Sequence, residues 1–368
     1  MADIAEEMPG SGGGTTAPPG KSASALRQFV LALFGTPLNA AISIVCILLL
    51  LWIVPPLLNW LFFNATWIGT SKECRAAAGA CWALIGEKFR FMLFGFYPYE
   101  EQWRPLLVTL LLLAMIGLSM LRRLWRRELL YAWIVTLPVM FVLMMGGFGL
   151  SLVSTEKWGG FPVTLLLSVF GLALAFPLAI FLALGRRSHM PIIKTLSICY
   201  IEVIRGVPLI TFLFMASIIF PLFLPAGASP DKLLRAQIAI IMFAAAYIAE
   251  VVRAGLQGVA RGQYEAADAL GQSYWQSMRL VILPQALKIV IPPLVNTFIG
   301  FFKDTTLIII VGLFDFLTTV RGALTDAAWQ GFANEAYVFA AVVYFVCCFT
   351  MSKYSQYLEK ELNPERRR

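Results

Sequence analysis

Residues 263–286 read QYEAADALGQSYWQSMRLVILPQA. They separate two segments apolar enough to live in lipid, yet they are polar and carry charge of both signs. Most connections in compact folds are a few residues long, so a structured insertion of this length calls for a purpose. Its order is Glu265-Ala266-Ala267, three residues, Gly271, nine residues, then Val281-Ile282-Leu283-Pro284. Glu265 and Asp268 suit the start of a helix, where the macrodipole favours negative charge. Ala266, Ala267, Ala269 and Leu270 are good helix formers. Gly271 either stops that helix or lets another backbone come close. Pro284 suits the first turn of a second helix. Tyr264 precedes this arrangement, Leu283 lies at its end, and Tyr274, Trp275 and Met278 give it an apolar patch. A short amphipathic helix of this kind docks a partner or lies on the lipid surface.

The surrounding chain has 368 residues, 59% hydrophobic and 14% charged, against about 25% charged in an average soluble domain. Apolar runs long enough to cross a bilayer recur, and alternating ten-residue strands of a barrel do not. The sequence predicts an all-α membrane protein with about eight spans near 38–63, 105–121, 129–150, 162–184, 195–223, 236–255, 286–312 and 335–352. The connections LRRLWRRE and GRRSHMPIIK are strongly basic, which places them in the cytoplasm. Alternation then puts both termini and loop 256–285 inside, with 18 Lys and Arg on inner segments against 9 on outer ones. That asymmetry accounts for the net charge of +8 without nucleic acid.

Residues 1–37 read as a disordered tail rich in Gly, Pro, Ser and Thr, without the order of a secretory signal. Residues 38–154 hold three spans and an external loop, 64–104. Residues 155–355 hold five spans with nearly all the intramembrane polar groups, and 356–368 form a second inner tail. Cys46, Cys199, Cys347 and Cys348 fall in apolar runs and read as packing residues. Cys74 and Cys81 lie together in the external loop, where an oxidising compartment permits a disulfide or leaves two free thiols. The single His189 argues against a histidine metal site.

The E-A-A-x3-G-x9-I-x-L-P pattern, met here with Val281 in place of Ile, resembles the signature of permease subunits in bacterial ABC importers. "GGFPVTLLLSVFGLALAFPLAIFLALGR", "YIEVIRGVPLITFLF" and "FFKDTTLI" are similar to the polar amino-acid uptake branch, over about residues 155–355. The resemblance implies that the last five spans form a type I importer core. It also implies that Tyr264, Glu265, Ala266, Ala267, Gly271, Trp275, Leu283 and Pro284 couple to an ATPase. The extra N-terminal spans and "SKECRAAAGACW" resemble the M-type permease of general L-amino acid uptake systems. This implies a Q-type permease partner, two ATPase subunits, a periplasmic binding protein and an L-amino acid substrate. ATP and Mg would then belong to the partner, with no cofactor in this chain and no catalysis by it. "GTTAPPGKS" has five residues between its glycines where a P-loop has four, lies in a Pro-rich tail and follows no strand.

Charged residues inside spans are costly and usually purposeful. Glu202 and Arg205 share a helix face and read as a neutralising pair or a gate. Lys303 and Asp304 are adjacent, about 100° apart on a helix, and do not readily cancel each other. With Thr305, Thr306 and Asn296 they offer both signs of charge to an amino-acid zwitterion; a structural pair with the partner permease is the competing reading. The rival functions are an ion-coupled secondary transporter, which needs no docking loop, and a non-transporting membrane subunit, which needs no midplane charges.

Overall fold

The computed structural model describes residues 25–225 and 229–362. In chain order its helices are α1 (Ala25–Phe34), α2 (Pro37–Leu58), α3 (Ser71–Ala76), α4 (Ala83–Phe94), α5 (Trp103–Met120), α6 (Arg127–Met145), α7 (Gly160–Arg186), α8 (Pro191–Gly206), α9 (Leu209–Phe214), α10 (Lys232–Gly258), α11 (Arg261–Ala269), α12 (Tyr274–Ser277), α13 (Leu283–Ile289), α14 (Ile291–Asp304), α15 (Phe316–Ala323) and α16 (Ala333–Leu362). A two-residue strand, β1 (Phe314–Asp315), precedes α15. Part of the expected N-terminal tail is therefore the helix α1, and α16 runs through part of the expected C-terminal one. The P-loop-like GTTAPPGKS lies outside the described residues.

Seven helical segments among the described residues are long and apolar enough to cross a bilayer: 37–63, 99–120, 127–145, 160–186, 232–258, 291–311 and 333–362. The expected span 195–223 is not one rod. It divides into 191–206 and 209–223, bent by 103°, and counts as an eighth span when taken together. Gly206 weakens the helix end, and Pro208 drives the preceding Val207 into an extended conformation, φ −110° and ψ 135°. The expected span 286–312 is likewise segmented. Val290 ends α13, Pro292 and Pro293 open α14, and residues 305–311 tighten into a 3-10 helix.

The described residues divide into two compact units, one formed by 25–65 together with 76–80, the other by 66–75, 81–225 and 229–362. In the first, Thr36 caps α2 by accepting from the Asn39 amide at 3.2 Å, and Pro37 occupies the first turn. Helix α2 is apolar on every face and buries none of its residues. Such a helix suits a lipid environment.

In the second unit α7 and α10 form the central pair. Helix α7 buries Ala175, Ala179 and Ala183 at four-residue spacing, and α10 buries Ala244, Ala245, Ala246 and Ala249. Lipid supplies no hydrophobic drive between helices, so small residues gain their attraction by letting backbones approach. At Gly171 a β-carbon would come 2.9 Å from Ile240 Cγ2; at Gly255 it would come 2.6 Å from the Ala286 carbonyl oxygen. Each added methyl would force the helices apart, at about 1–3 kcal/mol.

The expected external loop 64–104 is largely structured. Leu84 and Met92 of α4 pack with Phe316, Val320, Trp329, Phe332 and Ala336 in a second, smaller core, here called the cap. Cys74 and Cys81 join that core as a disulfide, with a Cα–Cα distance of 5.5 Å. Buried Glu335 accepts from the Cys81 amide at 3.1 Å, and the Lys88 ammonium meets Asp326 at 2.6 Å. The hydrogen bond between Lys88 and Asp326 holds the lysine above its usual pKa and the aspartate below its own. Helix α7 links the cap to the segment quoted at the outset: Gly160 bridges Asp315 at one end, and Arg187 meets Tyr264 at the other. Its 27 residues span roughly 40 Å.

Candidate functional site

The quoted segment folds as helix, turn and helix. Helix α11 ends as the Leu270, Gly271 and Gln272 amides donate to the carbonyls of Ala266, Asp268 and Ala267 at 2.9–3.1 Å. Gly271 adopts φ +69°, the left-handed conformation that glycine reaches without a β-carbon penalty. A β-carbon there would meet nothing within 4 Å. Of the two roles offered by its sequence, this chain uses Gly271 to stop a helix. Ser273 then starts α12 with a capping box, its amide donating to Gln276 Oε1 at 2.9 Å.

The inward side of the segment is anchored. The Tyr264 hydroxyl donates to the Leu256 carbonyl at 2.7 Å and accepts from Arg187 Nη1 at 2.9 Å. The Gln285 amide donates to Gln263 Oε1 at 3.0 Å, joining α13 to α11. Ala267 and Met278 are buried, so Met278 belongs to the core and not to the outward patch. The outward side is open. Leu270 is 78% exposed and Trp275 63%, with Tyr274 and Leu280 beside them. Ala266, Gly271 and Pro284 are exposed and Leu283 half-buried. Glu265 forms an exposed pair with Arg261 at 3.0 Å, one turn earlier. Little in the chain itself holds these outer groups, which is the character of a surface prepared for a partner.

Close to the start of the segment, a charge network joins α7, α8 and α10, and only its Glu250–Arg253 pair follows from sequence spacing. Arg186 of α7 meets Glu202 of α8 at 2.8 Å and Glu250 of α10 at 3.5 Å. Arg253 donates to Glu250 at 2.9 Å. The expected pairing of Glu202 with Arg205 is therefore replaced: Glu202 turns to Arg186, and Arg205 lies over the Tyr247 ring, 5.4 Å from its centre. The basic GRRS connection is the sequence signal for this network, but only the fold supplies its carboxylates.

The second group of candidates sits at the end of α14. Asn296 and Lys303, two turns apart on one face, are exposed on the isolated chain, and Asp304 and Thr306 are half-buried. Among the described residues neither Lys303 nor Asp304 has an oppositely charged partner within 4.0 Å. Thr305 is buried and donates its hydroxyl to the Phe302 carbonyl at 2.8 Å, which turns that group inward. Cys46 and Cys199, read as packing residues, are exposed on their helices. No group of three or more His, Cys, Asp or Glu arranged for a metal occurs among the described residues.

A bundle of apolar helices with a structured, outward-facing EAA segment defines an importer permease. Residues 175–363 match the family "Binding-protein-dependent transport system inner membrane component", and the chain belongs to that family. It is the membrane permease of a bacterial ABC amino-acid importer, and ATP hydrolysis belongs to a separate ATPase subunit. The chain is 50% identical to the inner membrane amino-acid ABC transporter permease protein YhdY of Escherichia coli (strain K12), over 91% of this chain and 92% of that one. It is 40% identical to the glutamate/glutamine/aspartate/asparagine transport system permease protein BztC of Rhodobacter capsulatus, over 91% and 93%. The glutamate/aspartate import permease protein GltK of Escherichia coli O157:H7 is 37% identical but covers only 55% of this chain, with 91% of its own length. A crystal structure of an amino acid ABC transporter with histidines aligns over 55% of this chain at 33% identity and a TM-score of 0.49.

Proposed function

We propose that α11 and α12 are the surface through which the ATPase drives this permease, and that the chain forms half of a pathway for polar amino acids. The observation that carries the coupling role is the division of one short segment into a locked face, at Tyr264 and Ala267, and an open face, at Leu270, Tyr274 and Trp275. Force applied to the open face reaches α10 through Tyr264 and α13 through Gln263–Gln285. From α10, the charge cluster Arg186–Glu202–Glu250–Arg253 would carry it to α7 and α8.

In this reading the segment is cytoplasmic, both termini are cytoplasmic, and the cap with its Cys74–Cys81 bridge is external. The partners are a second, related permease of the Q type, two ATPase subunits and a periplasmic amino-acid-binding protein. The GltK alignment supports treating the last five spans as the transport core, with the N-terminal spans as an addition. The BztC relative, named for acidic amino acids and their amides, supports a polar cargo. Lys303 and Asp304 would meet the cargo's carboxylate and ammonium where this chain faces its partner, with Thr306 and Asn296 beside them. Thr305 would act through the backbone it holds.

Co-purification tests the assembly. An ATPase should accompany this chain, and a liganded binding protein should raise its turnover. A permease that transports without an ATPase would return the ion-coupled alternative. For the cargo site, Lys303→Met or Asp304→Asn should abolish uptake in a complex that still assembles and hydrolyses ATP; unchanged uptake would assign both residues to structure.

A further inference from the structure

A groove of about 820 Å³ opens between the coupling segment and the corner joining α7 to α8. Its walls differ in character. Phe181 comes from α7, Ile193 from α8 and Met190 from the residue just before α8, and all three are exposed. Arg187, Asp268 and Trp275 come from the corner and the coupling segment. Arg187 caps the end of α7, so the groove lies where an apolar span gives way to a charged connection.

The charges in this groove are unusual for the region. Arg186 next door is neutralised by Glu202 and Glu250. Arg187 instead donates to the Tyr264 hydroxyl and lies 5.5 Å from the centre of that ring. Among the described residues no carboxylate lies within 4.0 Å of Arg187, and no cation within 4.0 Å of Asp268. One cation and one anion thus face the same space without pairing, beside a wall of exposed apolar side chains. A ligand that fits carries both signs of charge and a long apolar body. Guanidinium binds phosphate through charge-assisted hydrogen bonds, and a carboxylate pairs in the same way with an ammonium group. Basic pockets at the ends of membrane helices are suited to lipid headgroups. A purely anionic lipid would leave Asp268 opposed to its charge.

We propose that the groove binds a phosphatidylethanolamine-type lipid. Its phosphate meets Arg187, its ammonium meets Asp268, and its acyl chains run along Phe181, Met190 and Ile193. The lipid then braces α11 against the corner between α7 and α8. That consequence for coupling rests on the proposed function; the lipid site does not.

The test is native mass spectrometry of the whole importer, titrated with phosphatidylethanolamine and with phosphatidylglycerol. One phosphatidylethanolamine per copy of this chain should be retained and not displaced by equal phosphatidylglycerol. Arg187→Gln should lose it. Equal retention by the variant, or free exchange for phosphatidylglycerol, overturns the site. Should Arg187→Gln fail to assemble, photoactivatable phosphatidylethanolamine added to the unaltered complex decides. Labelling concentrated in peptides 181–193 and 274–278 supports the site. Labelling spread evenly over α2 and α6, or confined to complexes stripped of ATPase, overturns it, the latter because the ATPase is then the occupant. ATPase co-purification is scored separately, so lipid loss with the ATPase retained distinguishes the lipid site from the coupling role.

Discussion

The two ends of α7 meet regions built on opposite principles. The cap spends its side chains on itself: Cys74 on Cys81, Lys88 on Asp326, Trp329 on Glu87 and Arg75 on the Ala328 and Gln330 carbonyls. The coupling segment anchors one face and leaves Leu270, Tyr274 and Trp275 bare. A self-satisfied region keeps its shape alone, whereas one with an open face acquires its full set of contacts from a partner. Substitutions in and around the cap should therefore appear as lost stability, and substitutions in the coupling segment as lost function in a stable chain.

The largest stability effect is expected at Arg104, near the cap end of the bundle. Its side chain is 1% exposed, pairs with Glu101 at 2.7 Å and donates to the Ser151 carbonyl and hydroxyl at 2.7 and 2.8 Å. Arg104→Met leaves those acceptors without their charged donor and should cost about 3 kcal/mol. The unfolding midpoint of the purified complex would fall; an unchanged midpoint would show that this end is not held from within. Next comes the disulfide. Replacing Cys74 and Cys81 by Ser removes a short covalent loop and should lower cap stability by about 2 kcal/mol, read as faster proteolysis of residues 64–104 with ATPase binding retained. Mass spectrometry of non-reduced peptides should find the bridge, and two alkylatable thiols would remove it.

The smallest effect belongs to the half-buried Lys88–Asp326 pair, which still reaches solvent and is worth little by itself. Asp326 titrates below its ordinary value, so its contribution is present above the usual carboxylate range and lost as pH falls through the depressed pKa. Lys88 titrates above its ordinary value, so its contribution is complete below about pH 10 and lost as pH rises through the raised pKa. Asp326→Asn should flatten both limbs of the cap's stability profile by lowering stability slightly at neutral pH, where the pair is complete, and leaving the acid and alkaline extremes unchanged.

The same contrast explains what the sequence made legible. The coupling segment could be read because its chemistry lies on consecutive residues: a helix former run, Gly271 at the required φ, then Pro284 at a helix start. The bend in the fifth span was signalled by Gly206 and Pro208, although not its 103°. The cap was hidden because its contacts join residues about 240 positions apart, as Lys88 to Asp326, and nothing in the local pattern of 64–104 names the partner. Glu202 misled for a related reason. A carboxylate three residues from an arginine looks paired, but Arg186 on another helix reaches it in space.

The proposed coupling role assigns the ATPase to the open face of α11–α12 and not to the cap. Leu270 and Ile68 are both apolar and highly exposed, 78% and 94%, at the coupling segment and beside the cap. A photo-crosslinking amino acid placed at each position, in membranes holding the complete importer, compares them directly. An ATPase adduct is expected from position 270, abolished by Gly271→Leu or Glu265→Lys, and none from position 68. An adduct from 68, or one from 270 that survives both substitutions with ATP turnover still stimulated by the liganded binding protein, would contradict it.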